Sequence, residues 1–274
     1  IKHLRLIQII SNLIIVFIEN KRMQDALLEQ EALKREMQLA AKIQTQLIPG
    51  EHDLPKTPSL NIRTFYQPHY GIGGDYYDII KLSPYKIGFC IADVSGKGVG
   101  AAMLMSNFQA IIRSIFTANV DMKKLVNQLN QRVNQSANNE KFITMFIGRY
   151  NFLTRRLTYV NAGHLPPLLF DGRKSQLQML DKGCIGLGML DYIPNIEVGK
   201  VVVSKKSKLM AFTDGLVEIN RNNQVESDMQ ELERVISSRG NINDDLEIIK
   251  ARVGEMVKEG AVFDDIALMA FEFL

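Results

Sequence analysis

The chain has 274 residues, with 33 Lys and Arg against 30 Asp and Glu and a formal net charge of +3, which excludes a dedicated nucleic-acid binder carrying a clear basic excess. Hydrophobic residues at 46% and charged residues at 23% exclude a disordered chain and supply enough apolar material for one large core with an appendage. Cys90 and Cys184 show no CxxC or Cys/His spacing, so they read as reduced core thiols of a cytoplasmic protein.

The first residue is Ile1 rather than Met, so the chain is expected to be a piece of a longer protein whose targeting signals are not visible. From Ile1 to about Ile48 there is neither proline nor glycine, and apolar residues recur at three- and four-residue spacings. This pattern predicts a helix reaching to Pro49. Its most apolar part, Leu6 to Ile18, is shorter than the ~20 residues of a membrane span and reads as a buried helix. Ala26, Leu33, Ala40 and Leu47 repeat at seven-residue intervals, with Met37 and Ile43 on the same side, which predicts a short coiled-coil seam. The competing reading is an amphipathic helix lying on its own catalytic domain. Residues 49–58, with Gly50 and prolines, read as a linker, so the expected organisation is a helical segment over 1–48 and a domain over 49–274.

Beyond the linker, strands are predicted at Leu60 to Gln67, Tyr76 to Leu82 and Ile87 to Val94, and helices at Val99 to Thr117 and Met122 to Ala137. Strands resume at Ile143 to Asn151, Arg156 to Asn161, Pro167 to Phe170, Val198 to Ser204 and Lys208 to Thr213. Two helices follow at Asp228 to Ser238 and Asp244 to Lys258, then a last strand at Ile266 to Phe273. Strands in blocks around two helical pairs predict an α+β fold of mainly antiparallel sheets.

The informative acids are those at the ends of apolar runs beside glycine. Asp75 stands in GGDYYD, Asp93 closes IGFCIAD before VSGKG, Asp214 closes LMAFTD before Gly215, and Asp264 and Asp265 precede IALMAF. A single Asp before glycine is an ordinary turn residue. Several carboxylates at core strand ends are costly to bury unless paired or bound to cations, and no matching Lys or Arg lies nearby in sequence. Oxygen donors without a His/Cys cluster select hard ions such as Mg²⁺ or Mn²⁺. A pair of such ions about 3.5 to 4 Å apart activates water and stabilises charge on a phosphoryl group, so phosphoester hydrolysis is the natural reaction. The stretch DVSGKGVGAAMLM lacks the GxxxxGK[ST] spacing of a nucleotide-binding loop. Its glycines let the backbone pass close to the metal centre, with Lys97 near the helix start. His164, in NAGHLPP, is the histidine set in a turn between strands and reads more readily as structural than catalytic. There is no GxSxG, HExxH or Cys-His nucleophile pattern.

Taken in order, GGDYYD, DVSGKGVGAAMLMS, ITMFIGRYN, YVNAGHLPP, GCIGLG, AFTDGLVE and DDIALMAF resemble the motifs of the PPM (type 2C) serine/threonine phosphatases, in the bacterial RsbU-like and SpoIIE-like branch, over about Ala41 to Leu274. That resemblance implies an αββα sandwich of two antiparallel sheets with two Mn²⁺ or Mg²⁺ ions in the cleft at one end. It implies that Asp75 serves the second metal site, that Asp93 bridges both, that Val94 offers its carbonyl, and that Asp214 and Asp264 complete the first site. Asp264 matches the family ligand and Asp265 its neighbour; a one-residue shift would swap them. Val94-Ser95 stands where some eukaryotic members carry a proton-donating histidine, which leaves the general acid open. REMQLAAKIQTQLIP resembles the linker of this branch, and ISNLIIVFIENKRM the last helix of a GAF sensor. The implied partners are an upstream sensor, a second copy through the N-terminal helix, and a phosphorylated STAS-type anti-sigma-factor antagonist as substrate. The rival readings are a pseudophosphatase that only holds a phosphoprotein and a two-metal hydrolase of nucleotides or small molecules.

Overall fold

Lacking helix breakers, the N-terminal segment forms one helix, α1, over Lys2–Thr45. The computed structural model describes residues 2–69, 71–138, 140–217, 225–258 and 264–274. Two compact units divide between Ile43 and Gln44, a little before the expected boundary. In the first unit, the described side chains of the stretch expected to be buried are all exposed, with Leu13 at 63% and Phe17 at 69%; those of residues 6–9 lie outside the described set. The burial expected of this stretch is therefore not seen within the first unit, since an apolar helix face is buried only where another surface covers it. Leu47, assigned to the seam, sits in the turn after the helix, because the chain there already bends to reach the second unit's core. No described helix is long and apolar enough to cross a membrane.

The second unit takes in residues 49–58, expected to be a linker, together with the turn that precedes them. Ile48 and Leu54 are buried in the core, and the Tyr77 hydroxyl donates to the Pro49 carbonyl at 2.9 Å. The chain continues as β1 (Leu60–Gln67), β2 (Tyr76–Ser83), β3 (Lys86–Val94), α2 (Val99–Ile115), α3 (Met122–Ala137), β4 (Ile143–Asn151) and β5 (Arg156–Ala162). It goes on through β6 (Leu168–Asp171), β7 (Gln176–Met179), β8 (Gly183–Cys184), β9 (Gly199–Val202), β10 (Ser207–Phe212), α4 (Val225–Ile236), α5 (Ile242–Lys258) and β11 (Ile266–Phe273). The bounds of α3 follow from its ends: Asp121 accepts from the Lys124 amide at the N-cap, and Asn138 takes the left-handed conformation that stops the helix.

One sheet runs β1-β11-β10-β6-β7, and the other β2-β3-β4-β5-β8 with β9 also on β5. The ladders are antiparallel apart from a two-residue parallel pairing of β5 with β8, in keeping with the mainly antiparallel sheets expected. Strand alternation divides the core into layers. On β11, Ala267, Met269, Phe271 and Phe273 join the cluster between the sheets, while Ile266, Leu268 and Ala270 join the cluster that includes Leu246, Ile249 and Val253 of α5. Phe89 and Phe271 meet across the sheets with ring centroids 4.6 Å apart. Tyr76 packs edge-on against Phe108 of α2, so α2 covers the outer face of the β2-β3-β4-β5 sheet. The result is the αββα sandwich expected from the motifs.

Two ion pairs, each on a buried carboxylate, tie helices to sheets. Lys208 of β10 meets Asp245 of α5 at 2.5 Å, both side chains almost wholly buried. Arg113 of α2 grips the fully buried Asp78 of β2 through Nε at 2.7 Å and Nη2 at 3.0 Å, and Asp78 also accepts from the Tyr76 hydroxyl at 2.7 Å. Truncating Arg113 to Met leaves a buried carboxylate short of its cation. A loss of about 2 to 3 kcal/mol in urea unfolding is expected, below the ~3 to 5 of a wholly buried pair because the Arg113 side chain is half exposed. An unchanged midpoint would show that the hydroxyl and the Ile79 amide suffice.

Candidate active site

Odd-numbered residues of β2 and β3 point between the sheets, as the Tyr77 contact with Tyr66 of β1 and the Phe89 contact with Phe271 show. Asp75 and Asp93 share that parity. The register Tyr76↔Ala92, continued by one residue, sets Asp75 opposite Asp93 at the open end of the sandwich. Gly74 permits this approach: a Cβ there would lie 2.9 Å from the Val94 carbonyl oxygen, so that carbonyl rests against the glycine beside Asp75.

The other sheet contributes from across the cleft. Thr213 follows β10, and its amide donates to the Ala267 carbonyl at 3.0 Å, which holds the 3-10 turn Asp214–Leu216 over the start of β11. A Cβ on Gly215 would stand 2.0 Å from the Asp265 carbonyl oxygen and 3.4 Å from Asp264 Cβ. Glycine is what lets the two acidic segments cross. Asp265 and Asp264 then part company. The Asp265 carboxylate accepts from the His69 amide at 2.8 Å and the Gly74 amide at 2.9 Å, and it also bonds the Asp75 amide. It therefore fastens the GGD loop. Asp264 instead places Oδ2 2.7 Å from the Lys97 ammonium, with both side chains about half exposed.

Electrostatics record the convergence. Asp75 is 2% exposed, and burial, followed by the charge of Asp93, pushes its carboxyl well above the usual range, partly offset by a hydrogen bond with Thr213. Burial, then Asp214 and Asp264, pushes Asp93 up to about 7. The Tyr66 hydroxyl, raised by burial and by Asp265 and Asp75, stays protonated at the same cleft. Asp75 Oδ2 is buried with no hydrogen-bond partner among the described residues, a costly state for a carboxylate oxygen without a cation. All the donors gathered here are oxygens, a set that fits hard divalent ions. Among the described residues no three or more carboxylate, imidazole or thiol groups are already drawn to metal-holding distance.

Asp75, Asp93, Val94, Asp214 and Asp264 thus border one cleft. His164 stands apart from the acids: it is buried, burial lowers its pKa to about 4, and its Nδ1 lies 3.2 Å from Thr144 Oγ1. It is a neutral core group at pH 7. Cys90 is buried as expected, whereas Cys184 is only half-buried. Sequence reasoning missed the fastening role of Asp265, the Thr213 contact and Gln44. The Gln44 amide group donates to the Gly73 carbonyl at 2.7 Å and accepts from the Gly73 amide at 3.0 Å. A buried Gln in the predicted linker was the available signal, visible only as a polar residue next to Ile43 and Leu47.

Comparison with known proteins agrees with this architecture. The chain is 29% identical to phosphoserine phosphatase RsbU of Bacillus subtilis (strain 168) over 195 residues, covering 71% of this chain and 57% of that protein. The fold matches the SiaA-PP2C domain of Pseudomonas aeruginosa with a TM-score of 0.72 at 18% identity, covering 89% of this chain and 98% of that one. It also matches RsbX, solved in complex with magnesium, with a TM-score of 0.62 at 16% identity over 81% of this chain and 98% of that one. The chain spans between 44% and 57% of the length of the curated relatives it matches. The pattern of one family, Stage II sporulation protein E (SpoIIE), covers residues 83–274, more than half of the sequence and every strand and helix from β3 onward. With the PP2C-type sandwich and its acidic cleft in place, the chain belongs to the SpoIIE family.

Proposed function

We propose that this chain is a metal-dependent serine/threonine protein phosphatase that hydrolyses phosphoserine or phosphothreonine on a partner protein. The observation that carries the reading is the buried, unpartnered Asp75 Oδ2 facing Asp93 in a cleft bordered by Asp214 and Asp264. Two Mn²⁺ or Mg²⁺ ions would be held by Asp75, Asp93, Asp214, Asp264 and the Val94 carbonyl. Asp264 rather than Asp265 is favoured, because the Asp265 carboxylate is already engaged by backbone amides. When bound, such ions lower the pKa of water and stabilise charge on a transferring phosphoryl group.

The chain's own residues supply the frame. Asp265 and Gln44 hold the GGD loop from two sides, the Thr213 bond orients Asp75, and Gly74 and Gly215 bring the two sheets' acids close. Water is taken as the direct attacker, in keeping with a sequence that carries no GxSxG or Cys-His nucleophile pattern. The proposed substrate is a phosphorylated STAS-type antagonist in a partner-switching pathway, and the proposed location is the cytoplasm. A GAF-type sensor would stand upstream, and two copies would associate along α1, whose exposed Ile10, Leu13, Ile14 and Phe17 recur at helix-face spacing.

The test is phosphate release from a phosphoserine-bearing STAS protein. Release with Mn²⁺ that stops on adding EDTA is expected. Tight binding of the phosphoprotein without turnover at any metal concentration would point to the pseudophosphatase, and turnover of nucleotides alone would point to the small-molecule hydrolase.

A further inference from the structure

Lys97 is a cation that meets the acidic cleft, and its position is built rather than incidental. Gly96 and Gly98 both adopt φ +80, a left-handed conformation that L side chains rarely tolerate, and so turn the backbone sharply on either side of Lys97. The loop is anchored behind it: the Ser95 amide donates to the Phe142 carbonyl at 2.9 Å, Ser95 Oγ accepts from the Phe142 amide at 2.9 Å, and Lys141 Nζ donates to the Ser95 carbonyl at 3.0 Å. From this perch the Lys97 ammonium lies 2.7 Å from Asp264 Oδ2. Of the cleft acids, Asp75 is sealed from solvent, whereas Asp264 sits at the mouth with its charge answered by a side chain of the same protein.

We propose that Lys97 is a tethered cation that holds Asp264 in the metal-free protein and sets a threshold for ion loading there. The proposal rests on the metal-site reading given above. A carboxylate oxygen in an ammonium's grip must be released before it can ligate a divalent ion, and the freed ammonium then stands near a second positive charge. Both effects oppose loading. Since the pair is half exposed, each is modest. The ion that occupies the buried Asp75 side is not opposed in this way, so the two ions are expected to bind with unequal affinity, the weaker one at Asp264.

The experiment is calorimetric titration of Mn²⁺ into the full chain, comparing wild type with Lys97→Met, Lys97→Gln and Lys97→Arg. The Met and Gln variants should tighten the weaker binding step by about five- to tenfold, with the gain shrinking in high salt as screening removes the competition. Lys97→Arg should stay within about twofold of wild type. If wild type binds Mn²⁺ in two steps and the neutral variants bind the weaker ion equally or less tightly, the tethered-cation role is overturned while the metal site stands. If wild type binds no Mn²⁺, the metal-site reading itself fails.

Discussion

Asp93→Asn is expected to abolish hydrolysis and, in the same molecule, to make the metal-free protein harder to unfold. Asp93 faces Asp75 across the β2-β3 register and lies under the influence of Asp214 and Asp264. As the acid proposed to help hold both ions, its loss should lower turnover by roughly 10²- to 10³-fold or more. Yet without ions its charge is a burden. Burial and like charge raise its pKa to about 7, so the folded state binds that proton more tightly than the unfolded chain does. Stability from this group is therefore present at low pH and is lost as pH rises from about 4 to about 7, the reverse of an acid in a salt bridge. In EDTA at pH 8 the Asn variant should melt a few degrees higher than wild type, and the difference should shrink toward pH 4.5. A variant that melts lower at pH 8 would mean that Asp93 is stabilised by contacts of its own, against the convergence of charge described here.

Gly215→Ala should do the opposite to stability and the same to activity. The added Cβ would lie 2.0 Å from a backbone oxygen, that of Asp265, which no rotamer change can relieve. Either the Asp214–Leu216 turn or the start of β11 must move. Overpacking of this kind costs about 1 to 3 kcal/mol and at times more, and here the segments pushed apart carry Asp214 and Asp264. Both the melting temperature and Mn²⁺ affinity should fall. Gly254→Ala is the matched control: on α5, nothing lies within 4 Å of the added methyl, and a gain of about 0.5 to 1 kcal/mol is expected from helix propensity. Equal behaviour of the two variants would show that the crossing at Gly215 is looser than its geometry implies.

Much of this arrangement was readable along the chain because local and tertiary demands coincide. β1, α3, β4 and β11 occupy the predicted ranges: their apolar spacing is regular and each is bounded by residues that stop it, such as Asp121 and Asn138. β7, QLQM, was missed because it is a largely exposed edge strand with little β-branched content, formed only because β6 lies beside it. β8 is two residues whose pairing with β5 is set by the fold. The acids at strand ends were legible as a group, since a strand's last residue beside glycine announces a carboxylate at the sandwich's edge. Their separate duties were not. Asp265 fastens a loop whose His69 and Gly74 amides reach it only once the chain is folded, and Lys97 finds Asp264 across most of the domain's sequence. The burial expected of the apolar face of α1 failed for a related reason, as helical spacing says which side is apolar but not what covers it.

The central claim is that Asp75, Asp93, Asp214 and Asp264 together hold a pair of hard divalent ions. Anomalous diffraction from crystals of the chain soaked in Mn²⁺ tests it most directly. Two manganese peaks ligated by these four carboxylates are the result this account predicts. Manganese bound elsewhere at saturating concentration, with Asp75 and Asp93 left without an ion, would contradict it.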